Sequence, residues 1–122
     1  MKIVDIIKQL KENKNYAVKI QYNNELYPIN DYYIEYGNFI FRSFSLLSEE
    51  MKHEMDLSYS ELDDVFNNAG ELLDSLLYYS KIDPLGYDNF LDTNCKLIFD
   101  NWDNYSLSTI IKDNTIIFYN NR

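Results

Sequence analysis

Hydrophobic and polar positions alternate with two periods along the chain, and the switch between them divides it into elements. Over residues 2–13, Ile3, Ile6, Ile7 and Leu10 recur at i, i+3, i+4 and i+7, with Asp5, Lys8, Gln9 and Glu12 between them. That spacing predicts an amphipathic helix, with Asn13 and Asn15 where it would stop. The period then drops to two. Tyr16, Val18, Ile20 and Tyr22 alternate with Ala17, Lys19 and Gln21, which predicts a half-buried strand over 16–22 and a turn at Asn23-Asn24. A second extended run covers 26–36, with Pro28 near its start, and Gly37-Asn38 reads as a hairpin turn before a strand over Phe39–Phe44. The first third is therefore expected to be a helix followed by a three-stranded antiparallel meander.

The helical period returns after Ser48. A short helix is expected over 49–55. The longest follows over 59–79, capped by Ser58 or Ser60, with Leu62, Val65, Phe66, Ala69, Leu72, Leu73, Leu76 and Leu77 on its inner side. Gly70 falls in the middle of that stretch, at a cost of about 1 kcal/mol relative to Ala. Asp83-Pro84-Leu85-Gly86 reads as a loop. Asp88 could cap a helix over 89–102 through Leu91, Cys95, Ile98 and Trp102, although 95–100 fits helix and strand alike. Ser106–Ile111 and Thr115–Tyr119 read as a C-terminal hairpin turning at Asp113-Asn114. The expected fold is α+β: an N-terminal helix, a three-stranded antiparallel meander, two or three helices and a C-terminal β-hairpin, all in one domain over 1–122.

Charge changes this picture most. The net charge is −9 over 122 residues. Residues 1–48 net +1 and residues 104–122 net +1, whereas 49–103 net −11, with fourteen acids against Lys52, Lys81 and Lys96. No Lys or Arg lies between Lys52 and Lys81. An ordinary exposed helix mixes signs and gains i,i+4 pairs. Here Glu61, Asp64, Glu71 and Asp74 are expected along one side of the long helix over about 20 Å. Self-repulsion of that kind is offset by a partner carrying Lys and Arg. Glu49, Glu50, Glu54, Asp56, Glu61, Asp63, Asp64, Glu71 and Asp74 are accordingly the candidate partner-binding residues, and the partner class is a basic protein. The same charge opposes direct contact with nucleic acid.

Candidate chemistry adds little. The single histidine, His53, and the single cysteine, Cys95, are too few for a zinc site. Cys95 sits among Leu91, Ile98 and Phe99 and reads as a core residue. Asp100-Asn101-Trp102-Asp103-Asn104 echoes a calcium loop but lacks its central Gly. No phosphate-binding glycine loop, nucleophile elbow or HExxH motif is present. No catalytic residue, metal or cofactor is assigned, and the chain is read as a non-enzyme. With one cysteine, no apolar leader-like stretch and no membrane-length apolar run, the expected setting is the cytoplasm. Of the twelve tyrosines, Tyr22, Tyr27, Tyr32, Tyr33, Tyr36, Tyr78, Tyr79 and Tyr87 could supply interface anchors.

One resemblance bears on the partner. Met1-Lys2-Ile3-Val4-Asp5-Ile6-Ile7-Lys8-Gln9-Leu10-Lys11, followed by Asn15-Tyr16-Ala17-Val18-Lys19-Ile20, resembles the start of a small Cas9-inhibiting anti-CRISPR family. The likeness covers about the first 20 residues, where a short amphipathic helix runs into a Tyr-x-Val-Lys strand. It implies a helix, three antiparallel strands and then helices in an acidic inhibitor that imitates DNA at the basic site reading the PAM duplex. The expected C-terminal hairpin departs from that order, and none of the family's acidic contact residues has an aligned counterpart. The expectation is thus a DNA-mimicking inhibitor of a CRISPR effector or similar defence nuclease. An immunity protein neutralising a basic toxin, and a small enzyme of unrecognised type, are the alternatives.

Overall fold

The computed structural model describes residues 1–55, 64–82 and 90–120. It is α+β. Helix α1 spans Ile3–Glu12 and buries Ile3, Ile6, Ile7 and Leu10, as their spacing predicts. Strand β1 (Ala17–Tyr22) turns at Asn23-Asn24 into β2 (Glu25–Pro28), and β3 (Asp31–Glu35) turns at Tyr36-Gly37 into β4 (Asn38–Arg42). Both turns hold two consecutive residues at positive φ, the geometry that matches the twist of a two-residue hairpin. Helix α2 spans Glu49–Glu54, capped by the Ser48 hydroxyl, which accepts the Met51 N–H at 3.2 Å.

The expected meander is divided. The run over 26–36 is two strands, because the chain crosses between sheets at Ile29-Asn30. One sheet has the order β2-β1-β8-β7 and the other β3-β4-β5-β6, where β5 is Asn94–Leu97, β6 is Tyr105–Ser106, β7 is Ser108–Lys112 and β8 is Thr115–Tyr119. Each sheet joins two antiparallel pairs through a central parallel pair, β1 with β8 and β4 with β5. Parallel pairing needs both strands buried, and their inward residues are. Val18, Ile20, Ile116 and Phe118 of one sheet meet Phe39, Phe41, Cys95 and Leu97 of the other in a shared core with α1. Phe41 and Phe118 touch edge to face at 5.2 Å.

Two helical expectations change. The segment 64–68 is not helical; the long helix is α3, Ala69–Ile82. Apolar residues at 65 and 66 keep the helical spacing, yet the Phe66 N–H donates to the Ile29 carbonyl at 3.0 Å instead of to its own turn. Asn68 begins the helix, its Oδ1 accepting the Glu71 N–H at 2.9 Å. Gly70 is therefore in the first turn. It lies against the α1–β1 loop, where its N–H and that of Ala69 donate to the carbonyls of Lys14 and Tyr16 at 2.9 and 2.8 Å. A Cβ at Gly70 would sit 3.3 Å from the Lys14 carbonyl, so the small residue permits that approach. The helix expected over 89–102 is also replaced. Among the described residues of that segment helix persists only at Phe90-Leu91, and Asn94–Leu97 is β5, drawn out by the free edge of β4. The expected loop at 83–86 and the caps at Ser58, Ser60 and Asp88 lie outside the described residues.

The parity of β4 decides where the helices sit. Phe39 and Phe41 face the shared core, which also receives Leu72, Leu73 and Leu76 of α3. Ile40 faces the other way and packs with Phe44, Leu47, Ile98 and Met51 of α2. Helices α2 and α3 therefore cover opposite faces of the same sheet.

Candidate partner-binding surface

This placement divides the candidate acids. Glu49, Glu50 and Glu54 ride on α2, Glu71 and Asp74 ride on α3, and Asp64 lies in the non-helical segment before α3. Asp56, Glu61 and Asp63 lie outside the described residues. The single helical row expected of Glu61, Asp64, Glu71 and Asp74 does not exist, since α3 begins only at Ala69. The acids of α2 and those of α3 also stand on opposite sides of the β3–β6 sheet.

Some of these acids have local structural duties. Glu49 and Glu50 occupy the first turn of α2, where the positive helix end favours a carboxylate. Glu49 also pairs with Lys52 at 3.5 Å. The Glu71 carboxylate reaches back over the start of α3, accepting the Asn67 N–H at 2.8 Å and its side-chain amide at 3.4 Å. With the Asn68 cap this is a variant of the capping box, and it holds Glu71 to the helix end.

Glu54, Asp64 and Asp74 have no such duty. All three are exposed, and none forms an ion pair among the described residues. Glu54 ends α2, where its charge opposes the negative helix end. Asp74 belongs to the outward face of α3. Glu71, Asp74, Tyr78 and Ile82 fall within about 80° of one another at 100° per residue, and the stripe extends about 16 Å. Tyr78 is 66% exposed and Ile82 60% exposed, unusual values for large side chains on a helix whose other face is buried. An aromatic and an aliphatic group beside a carboxylate match the anchors that dominate protein interfaces.

Other features were hidden in the sequence. Between the two sheets a cavity of about 410 Å³ opens among Tyr22, Phe99, Asp100, Tyr105, Tyr119 and Asn120. Trp102, in the loop after β5, is 48% exposed between Asp100 and Asp103. The Asp-Asn-Trp-Asp-Asn run was visible as a calcium-like pattern, but its meeting with Tyr22 and Asn120 depends on strand pairing distant in sequence.

The groups considered for chemistry sit as follows. Cys95 is buried, and burial pushes its thiol up to about 12, the opposite of an activated nucleophile. His53 is exposed on α2. Among the described residues no group of three or more His, Cys, Asp or Glu is placed to hold a metal ion. Among the same residues no helix is long and apolar enough to cross a membrane. Comparison with protein-family models, with curated proteins and with solved structures found no match.

Proposed function

We propose that this chain is a non-enzymatic, acidic inhibitor that occupies the basic nucleic-acid groove of a CRISPR effector or similar defence nuclease in the cytoplasm, taking the place of DNA. The observation that carries the reading is the uncompensated charge of the middle segment. Of its described acids, only Glu49 and Asp92 form ion pairs, and both pairs are solvent-exposed. Such exposed pairs contribute at most about 1 kcal/mol, so the fold gains little from ion pairing of this charge. Carboxylates that do no work for the fold are available to a partner, and a groove built for phosphates supplies the Lys and Arg to meet them. The outward face of α3 adds Tyr78 and Ile82 as apolar anchors beside Asp74. The likeness of the first 20 residues to Cas9 inhibitors favours the same class of partner.

The reading is tested by capture from host lysate on the tagged chain at low and high salt, with the captured protein identified by mass spectrometry. The expected result is a basic nucleic-acid-binding protein, released by salt and displaced by duplex DNA. Charge reversal at Glu54, Asp64 and Asp74 together should abolish capture. Capture that survives both salt and charge reversal would sink the reading.

A further inference from the structure

The cavity between the sheets has a chemistry of its own. Its wall is a row of rings: Tyr22 stacks on Phe99 with centroids 4.7 Å apart and planes 11° apart, and Phe99 meets Tyr105 at 5.2 Å. Phe99 is buried, whereas Tyr22 and Tyr105 are half-buried and line the space. At the rim, the Tyr22 hydroxyl donates to Oδ2 of Asp100 at 3.4 Å. That leaves Oδ1 of an exposed carboxylate with no cationic partner among the described residues. Asn120 supplies the second acceptor. Its Nδ2 donates to the Ser106 carbonyl at 2.8 Å, which fixes the amide, because the flipped amide would set two oxygens against each other. Its Oδ1 is buried and has no donor among the described residues, so a ligand reaches it only by displacing what covers it.

The described lining residues thus present aromatic faces, a carboxylate and an orphaned acceptor, and no Lys or Arg. An anionic ligand would meet Asp100 without compensation. A neutral apolar one would leave Asn120 unsatisfied, a cost of about 1–3 kcal/mol. A compact ammonium offers a point charge where flat stacking and two separated acceptors are available. A guanidinium answers all of these: it is planar, carries five donors and no acceptor, stacks on aromatic faces and binds carboxylates in a fork.

We propose that this cavity is an anchor pocket for an arginine side chain, held by Asp100 and Asn120 against the Tyr22–Phe99–Tyr105 wall. The proposal rests on the reading above for the source of the arginine, a basic partner protein. The pocket's preference for guanidinium stands on the cavity alone.

The test uses the intact chain and a blocked tripeptide, acetyl-Gly-Arg-Gly-amide, in an amide NMR titration. The comparison peptides replace arginine by citrulline, which keeps the shape and removes the charge, and by lysine. The arginine peptide should shift the amides of Asn23, Asp100 and Asn120 and bind about tenfold more tightly than either comparison peptide, the ratio expected for one charge-assisted contact. Asp100→Asn, which keeps an acceptor for Tyr22 and is exposed, should lose about tenfold in affinity while its spectrum stays dispersed. Equal response to citrulline, shifts elsewhere, or indifference to Asp100→Asn overturns the pocket. Capture of a basic partner by the chain with no peptide binding removes the pocket and leaves the inhibitor reading. Peptide binding with no salt-sensitive capture removes the inhibitor reading and leaves the pocket its ligand.

Discussion

Asn30 is the side chain on which the crossing between the two sheets depends, and its replacement by Ala has a cost that follows from its bonds. The residue is 8% exposed. Its Oδ1 accepts the Phe44 N–H at 2.7 Å, and its Nδ2 donates to the Asp64 carbonyl at 2.7 Å. Asn30→Ala breaks both while leaving the backbone bond from Asn30 to the Arg42 carbonyl intact. The Phe44 N–H is then orphaned in the interior, at a cost of about 1–3 kcal/mol. The Asp64 carbonyl is only partly buried and can turn to water, so its loss is nearer 1 kcal/mol. These two bonds alone sum to about 2–4 kcal/mol, a large part of the stability of a domain this size. Urea unfolding followed by circular dichroism should show an unchanged slope and a midpoint lowered by about 1–2 M. Asn30→Asp sharpens the test. Its acceptor is preserved, but an ionised oxygen faces the Asp64 carbonyl. Its folded-state pKa is therefore raised, so its deficit should be small in acid and grow as pH rises above about 4. A loss below about 1 kcal/mol for Asn30→Ala would refute the assignment of Asn30 as the clamp.

Three further outcomes follow. Tyr36 is 90% exposed at φ 50° in the β3–β4 turn, so Tyr36→Asn should stabilise the fold by about 0.5–1 kcal/mol in thermal unfolding; a loss would mean that the ring has a packing role. Between the ordinary thiol value and about 12, the unfolded chain releases a Cys95 proton that the folded chain keeps, so stability falls as pH rises through that window. Tyr32 and Tyr33, both pushed up chiefly by burial, act in the same direction at higher pH. Cys95→Ala should flatten the alkaline slope by about 1.4 kcal/mol per pH unit, and an unchanged slope in unfolding measured across that range counts against the buried thiol. Glu54→Gln should raise the melting temperature slightly, since it removes a negative charge from the C-terminal end of α2, while weakening capture of the partner. Lower stability together with intact capture would reverse the role assigned to it.

The candidate site was only partly legible in the sequence. The concentration of acid in residues 49–103 is a fact of composition, and no fold can alter it. Which acids share a surface is a matter of parity. Phe39 and Phe41 on one side of β4, with Ile40 on the other, send α3 and α2 to opposite faces of one sheet and divide the set. Glu71 looked like a surface charge and is a helix cap, because the helix begins ten residues later than its apolar spacing suggests. The cavity between the sheets joins residues 22, 100 and 120, and no local pattern links them.

By itself the sequence determined the elements whose cause is local. Helix α1 follows from the spacing of Ile3, Ile6, Ile7 and Leu10. The turns at Asn23-Asn24 and Asp113-Asn114 follow from residues that tolerate positive φ, and the Ser48 cap from a hydroxyl within reach of Met51. The tertiary structure decided whatever required a distant partner. Cys95 and Leu97 form a strand because β4 offers an open edge. Residues 64–66 are not helical because Ile29 and Asn30 take their hydrogen bonds. The physical reason is the same in each case: backbone polar groups must be paired, and a partner far along the chain outweighs a propensity worth less than about 1 kcal/mol per residue.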